Sequence, residues 1–379
     1  MLLIAVILGV FTYGMVAAML GTILPELSRR FQLTPNQNGK ISMMQALGLM
    51  FGGFFAGPLM DLQGKKLGML LSLALIGLAL VGLRAAKGFL PIAGMMFILG
   101  TGGGALVTSS FAVANDIQVS WLRGAAVFNA VNLFFGLGGL MTPLIAARVF
   151  KNDVPKLLLF SACVAVAALI VNSTTPMAPP SGKVSFQAEQ VTSLITSPVL
   201  LLLSLALFLY VACEVGVWNW LARHLIAQGV PDDKALTILS LGFALGLLVG
   251  RVAVVPVLGS VTPKAVLLSA ALLMAVTTYI MLQTSRPSMA WVSVFCGGLA
   301  MAPVFPTALG LVGTAFKPAG LDATATGIAS TCGWLGLVVS SPIIGGIAGE
   351  DPKRLKKALL LLPAASLILA GVILALPQL

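Results

Sequence analysis

The sequence predicts an all-α integral membrane protein with twelve transmembrane helices in two pseudo-symmetric six-helix bundles, and three observations predict it. Of the 379 residues, 9% are charged and 59% apolar, a balance with which a water-soluble domain could not cover its surface. The apolar residues gather in runs long enough to cross the hydrocarbon core, which takes about 20 residues of helix. Within each run they are continuous rather than alternating, so the runs read as helices and not barrel strands. In lipid only those two structures satisfy every backbone polar group.

The spans fall at 2–27, 38–60, 66–86, 89–115, 125–149, 157–177, 197–227, 235–258, 264–284, 289–316, 321–348 and 357–377. The first starts at Leu2 with no charged leader and no small-residue cleavage site, so it reads as a span rather than a signal peptide. Connections are short except for the polar stretch containing MAPPSGKVSFQAEQ. This divides the chain into an N-terminal bundle over 1–178, a cytoplasmic linker over 179–196 and a C-terminal bundle over 197–379. The 41 glycines cluster in strings such as GTGGGALVTSS and GFALGLLVG. They let helices approach closely in a solvent that does not drive them together.

The halves repeat at an offset of 198 residues. GPLMDLQGKKLGMLL after the second span aligns with VPVLGSVTPKAVLL after the eighth, pairing Pro58 with Pro256, Lys66 with Lys264 and Leu70 with Leu268. GLGGLMTPLI in the fifth span likewise matches GWLGLVVSSPII in the eleventh with a one-residue slip. A parallel repeat of six spans is an arrangement found in transporters whose halves rock about a midplane site.

Several function classes are excluded. Cys163, Cys213, Cys296 and Cys332 all lie in spans without metal-ligand spacing, so they read as buried free thiols. The single histidine, His224, has no partner for a metal site or a catalytic triad. No phosphate-binding glycine loop or nucleophile elbow lies between a strand and a helix. The expectation is a protein that is not an enzyme and carries no metal or cofactor.

The segment Gly57-Pro-Leu-Met-Asp61-Leu-Gln-Gly64-Lys65-Lys66 resembles the loop between helices two and three of the major facilitator superfamily, with Leu62 in place of the usual basic residue. The resemblance implies the major facilitator fold and gating roles for Gly57, Asp61, Gly64, Lys65 and Lys66, with Asp61 latching the cytoplasmic side in the outward-open state. FLYVACEVGVWNWLARHL, LGLLVGRVAVVPVLGSVTPKAVL with its Gly250-Arg251, NAVNLFFGLGGLMTPLI and APVFPTALGLV look like the seventh, eighth, fifth and tenth helices of the fucose/galactose/glucose:proton symporter family. That likeness implies sugar-type transport by alternating access. The chain departs from the pattern at Gly21 or Thr22 and near Ala105, where the fucose member of that family carries acids, and at Met301, where an asparagine is common. The family's proton relay and full set of sugar hydrogen bonds are therefore not carried over.

An ionisable group well inside a span marks a pathway or coupling site. Glu214, near the middle of the seventh span, is the acid that meets this description, and it is assigned to coupling H⁺ or Na⁺. Trp218 lies one turn on from Glu214, on the same face, with Asn219 beside it. Both are assigned to substrate, although tryptophan also anchors helices at the membrane interface. Asn129 and Asn132 share a face of the fifth span and need partners in lipid. Tyr13, Ser109, Thr307 and Thr331 complete the substrate candidates. Arg251, near the cytoplasmic end of the eighth span, is expected to snorkel or pair and is grouped with the gating residues.

The net charge of +11 is scattered over loops, which argues against nucleic acid. An N-terminus inside leaves Lys65, Lys66, Arg123, Lys183, Arg251, Lys264 and Lys317 on the cytoplasmic side. The larger share of the 22 basic residues then lies opposite, against the positive-inside rule. The superfamily motif is the more specific signal, and the expected location is a bacterial inner membrane with the N-terminus cytoplasmic. The expectation is a monomer in lipid that moves a small polar solute, a sugar or sugar acid, coupled to H⁺ or Na⁺. The alternative is an exporter of amphipathic drugs or lipids.

Overall fold

The computed structural model describes residues 1–119, 122, 124–179, 188–349 and 351–377; Arg123, Lys183 and Glu350 lie outside the described residues. Among the described residues there is no β-strand, and twelve helices are long and apolar enough to cross a membrane. The elements are α1 (Leu2–Phe31), α2 (Pro35–Gln63), α3 (Lys65–Ala85), α4 (Phe89–Ala114), α5 (Ala125–Arg148), α6 (Val154–Thr174), α7 (Ala188–Ile195), α8 (Pro198–Ala227), α9 (Asp232–Thr237), a π-helical segment (Ile238–Phe243), α10 (Ala244–Val257), α11 (Pro263–Gln283), α12 (Pro287–Met301), α13 (Val304–Phe316), α14 (Asp322–Ala348), α15 (Pro352–Leu359) and α16 (Leu361–Ala375).

Local chemistry explains where these helices begin. Thr34 and Gln37 form a reciprocal capping box at the start of α2, with Pro35 in the first turn. Asp153 accepts from the Lys156 backbone at the start of α6, and Thr262 accepts from Ala265 at the start of α11. Apart from shifts of three or four residues at helix ends, four elements differ from the sequence-predicted spans. The tenth span is two helices, because Pro303 supplies no backbone N–H and the chain turns at Ala302 and Pro303. The eighth contains a π-helical turn. The last begins earlier, at Pro352, where Asp351 caps the amphipathic PKRLKKAL through the Lys353 N–H at 2.8 Å. The linker ends in the short α7.

The described chain forms two compact units. The first comprises 1–119, 131–191 and 313–331; in it α2 packs on α4, α3 on α4 and α6, and α1 on α4 and α6. The second comprises 120–130, 192–312 and 332–379; in it α11 packs on α16 and α12, α8 on α16, and α10 on α12.

Glycine makes the closest of these approaches possible. At the α2–α4 seam, a β-carbon on Gly48, Gly52, Gly100 or Gly104 would strike the facing carbonyl of Phe97, Thr101, Gln45 or Leu49, respectively. The same seam recurs in the second unit 198 residues later. Gly246 faces the carbonyl of Phe295 as Gly48 faces that of Phe97, and Gly298 faces Phe243 as Gly100 faces Gln45. Gly138 and Gly336 likewise stand 198 residues apart, against the carbonyls of Phe11 and Phe208. The repeat read from sequence is thus a repeat of contacts.

Candidate functional site

In the second unit, Glu214 is half-buried midway along α8, one turn after Tyr210. Tyr210 is 1% exposed and Arg251, on α10, 3% exposed. The Glu214 carboxylate interacts electrostatically with both the Tyr210 phenol and the Arg251 guanidinium. Arg251 is thus buried within the second unit rather than exposed at the end of its span. Aromatic rings continue from this point. Tyr210 lies 6.2 Å from Phe305 at the start of α13, and Phe305 lies 6.0 Å from Trp334 on α14, which is itself half-buried. Those spacings suit tilted ring pairs. One cation, one acid and three rings thus converge in a span interior.

Trp218, 36% exposed, meets Phe243 edge-on at 5.1 Å, at the last residue of the π-helical segment. Segments of this kind recur at functional sites. Asn219 is exposed and donates to the Ser341 hydroxyl at 2.7 Å. Asn129 is fully buried, and its amide donates to the Ala125 carbonyl and to Thr307 Oγ1, both at 2.9 Å. Two of the sequence-selected residues, Asn129 and Thr307, are thereby joined, and among the described residues the Asn129 carbonyl oxygen accepts no hydrogen bond.

The remaining substrate candidates lie in the first unit and are not gathered at one point. Tyr13, 4% exposed, stacks on Phe135 at 5.1 Å. Asn132 is 5% exposed. Ser109 is fully buried where α4 passes Gly68 of α3. Thr331 is half-buried and donates to the Met50 carbonyl at 3.3 Å.

The gating candidates form a second cluster in the first unit, where the end of α2 meets the start of α14. Asp61 is 6% exposed and accepts from the backbone N–H groups of Ala323 at 3.2 Å and Thr324 at 2.8 Å, and from the Thr324 hydroxyl. The first turn of a helix presents unpaired N–H groups and the positive end of its dipole, which suit an acceptor there. Gly57 lets α14 come this close: a β-carbon on it would lie 2.6 Å from the Ala323 carbonyl. Gly64, at φ 97°, turns the chain between α2 and α3. Lys65 then reaches Asp322 at 2.7 Å, Asp116 at 2.9 Å and the Ala112 carbonyl at 3.0 Å. Lys317 pairs with the other oxygen of Asp116 at 2.8 Å, and Asn115 donates to Asp322 at 3.2 Å. Lys66 is half-buried beside Lys65. A cavity of about 190 Å³ is lined by Asp61, Lys65, Asp116, Lys317 and Asp322 among others.

A further cavity of about 360 Å³ lies where α1 and α5 end and α6 begins, lined by Glu26, Arg29, Asn152 and Asp153 among others. There the side chain and backbone of Lys156 hold the Asp153 carboxyl below the usual carboxylate range. Among the described residues no group of three His, Cys, Asp or Glu side chains is placed to hold a metal. Sequence reasoning missed Tyr210, although it stands four residues before Glu214. It also missed Asp116 and Asp322 as the partners of Lys65, and Lys317 as a further partner of Asp116; their signal was the placing of ionisable residues at helix ends next to the matched loop.

Comparison with known proteins accounts for this layout. FucP, a transporter solved in its outward conformation and described elsewhere as the E. coli fucose:proton symporter, superposes with a TM-score of 0.86 over 100% of this chain and 99% of its own, at 17% identity. The proton:xylose symporter XylE superposes with a TM-score of 0.82 over 99% and 95%, at 14% identity. The 4-hydroxybenzoate transporter PcaK of Pseudomonas aeruginosa is 25% identical over 136 residues, 35% of this chain and 30% of that relative's length. The family match itself runs over residues 6–341. With twelve apolar helices, a glycine-turned loop after the second and an Asp61 contact to the start of the eleventh, the chain belongs to the Major Facilitator Superfamily.

Proposed function

We propose that the protein is a secondary active transporter that moves a small polar solute, a sugar or sugar-like compound including sugar acids, by alternating access. Transport is coupled to H⁺ or Na⁺ through Glu214, in a bacterial inner membrane with the N-terminus cytoplasmic. The observation that carries this reading is the half-buried carboxylate midway along α8, within electrostatic reach of Tyr210 and Arg251. An acid at that depth is costly unless it serves a pathway. The sugar symporters of the same fold support the substrate class, and the aromatic-acid transporter supports an anionic variant of it.

The test begins with a thermal-shift screen of purified protein against sugars and sugar acids, followed by uptake into proteoliposomes. Glu214→Gln should abolish gradient-driven accumulation while leaving substrate exchange largely intact. Undiminished accumulation in that variant rejects the coupling role. The rings of Phe305 and Trp334 also suit an amphipathic cargo moved outward. Dye efflux by proteoliposomes without any sugar response would favour that reading.

A further inference from the structure

The last membrane span opens with α15, and its basic residues stand where a helix does not favour them. Lys353 and Arg354 lie in the first turn, at the positive end of the helix dipole. Lys357 follows Lys353 by four residues and Arg354 by three, so three like charges share one face. All three are exposed, whereas Leu355, Ala358 and Leu359 on the other face are buried, and α15 packs on α8 and α16. Among the described residues the acid paired with the basic face is Asp351, 3.9 Å from Arg354. Cations crowded at a helix start are unfavourable unless an anion lies against them.

The neighbouring helix ends of the second unit add to this face. Arg223, exposed near the end of α8, donates to the Gly349 carbonyl at 3.1 Å and lies 5.8 Å from the centre of the Trp220 ring. Lys356 donates to Gln283, the last residue of α11, at 2.8 Å. The half-buried Trp220 is of the residue type that gathers at the level of lipid headgroups. Directly after the charges, Leu360 and Leu361 are 40% and 42% exposed. A cationic face at headgroup depth, continued by outward apolar side chains, matches an amphiphile with an anionic head. We propose that this end of the second unit is a binding site for an anionic phospholipid of the surrounding membrane. Its phosphate lies against Lys353, Arg354 and Lys357, and its acyl chains lie along Leu360 and Leu361. Basic clusters at a membrane surface attract anionic lipid at each charge, and a guanidinium fits a phosphate through two N–H groups at once. A zwitterionic phospholipid brings no net charge to offset the crowding. A soluble phosphate brings the charge but leaves the apolar surface uncovered. The site is independent of the transported solute and of the role given to Glu214.

The test titrates the purified full-length protein with dioleoylphosphatidylglycerol, and separately with dioleoylphosphatidylcholine, counting bound lipids by native mass spectrometry. The wild type should bind the first phosphatidylglycerol at least tenfold more tightly than phosphatidylcholine. The triple variant Lys353→Gln/Arg354→Gln/Lys357→Gln should lose that preference, at roughly fivefold per charge removed. A control variant, Lys40→Gln/Lys87→Gln/Lys151→Gln, removes three exposed charges from the first unit and should keep it. If the triple variant fails to fold, Lys357→Gln alone should weaken phosphatidylglycerol binding roughly fivefold. Soluble glycerol phosphate, added as a competitor at the lipid's concentration, should displace none of the bound lipid. Equal affinity for the two lipids, wild-type binding by the α15 variants, or an equal loss in the control variant would overturn the proposal. Displacement by glycerol phosphate would overturn it in favour of a soluble anion.

Discussion

Asp61 spends one buried carboxylate on three donors at the start of α14, two of them backbone N–H groups. Hydrogen bonds to a charged group contribute about 1.5–3 kcal/mol each, so this residue concentrates much of the local hold between α2 and α14. Asp61→Asn keeps the shape but loses the charge and one acceptor. The expected outcome is a population shifted toward a state in which the end of α2 parts from the start of α14. Distance labels at exposed Leu62 and near Gly320 would report it, and an unchanged distance distribution would count against the latch. Lys65→Ala should shift the same distribution less, because Lys317 still pairs with Asp116 and Asn115 still donates to Asp322. At this scale legibility was uneven. Asp61 and its glycines were visible because a short contiguous motif carries them. The electrostatic influence of Glu214 on Arg251 was not visible, because the two lie on different helices and nothing in the spacing of either records it. Ser109 shows the converse limit: a hydroxyl in a glycine-rich span gives no sign of whether it faces a cavity or, as here, the neighbouring α3.

Among the elements, the α2–α4 pair shows how little room the packing leaves. A methyl group at Gly104 meets the Leu49 carbonyl, which belongs to helix backbone and cannot rotate aside. Gly104→Ala should destabilise by about 1–3 kcal/mol, the usual cost of overpacking, measured as a lowered melting temperature in detergent. Gly21→Ala, where a β-carbon finds nothing within 4 Å, should leave melting nearly unchanged. If both variants melt alike, the seam is softer than its geometry implies. The helices themselves were largely legible, since continuous apolar runs leave lipid-spanning helices as the main solution. Their interruptions were less so. The break between α12 and α13 follows from Pro303, a visible signal, yet Pro25, Pro58 and Pro143 sit inside unbroken helices, so proline alone does not say which helices part. The π-helical turn before α10 has no sequence mark that we can identify.

For the molecule as a whole, charge is the property that reaches furthest. The net charge is +11, and the proposed cytoplasmic N-terminus would put most basic residues toward the external face, four of them on α15 at Lys353, Arg354, Lys356 and Lys357. Such a field draws anions over distances of about 10 Å at moderate salt. If the solute is an anion, raising ionic strength should weaken its apparent affinity, and a flat response in an uptake assay would favour a neutral sugar. The same distribution sets up a check on orientation. A cysteine-labelling reagent that cannot cross the bilayer should reach a cysteine introduced at Lys353 from outside intact cells, and labelling only after lysis would reverse the assignment.

The matched glycine contacts at 48 and 246, 100 and 298, and 138 and 336 have an ancestral reading. Six is an even number of crossings, so a chain that completes six passes emerges on the face where it began. A second copy joined there in tandem needs no inversion and inherits the packing rules of the first unchanged. Parallel tandem fusion of a half-length precursor therefore accounts for helix seams that have stayed in step while the acids along the two halves, Asp61 and Glu214 among them, have diverged.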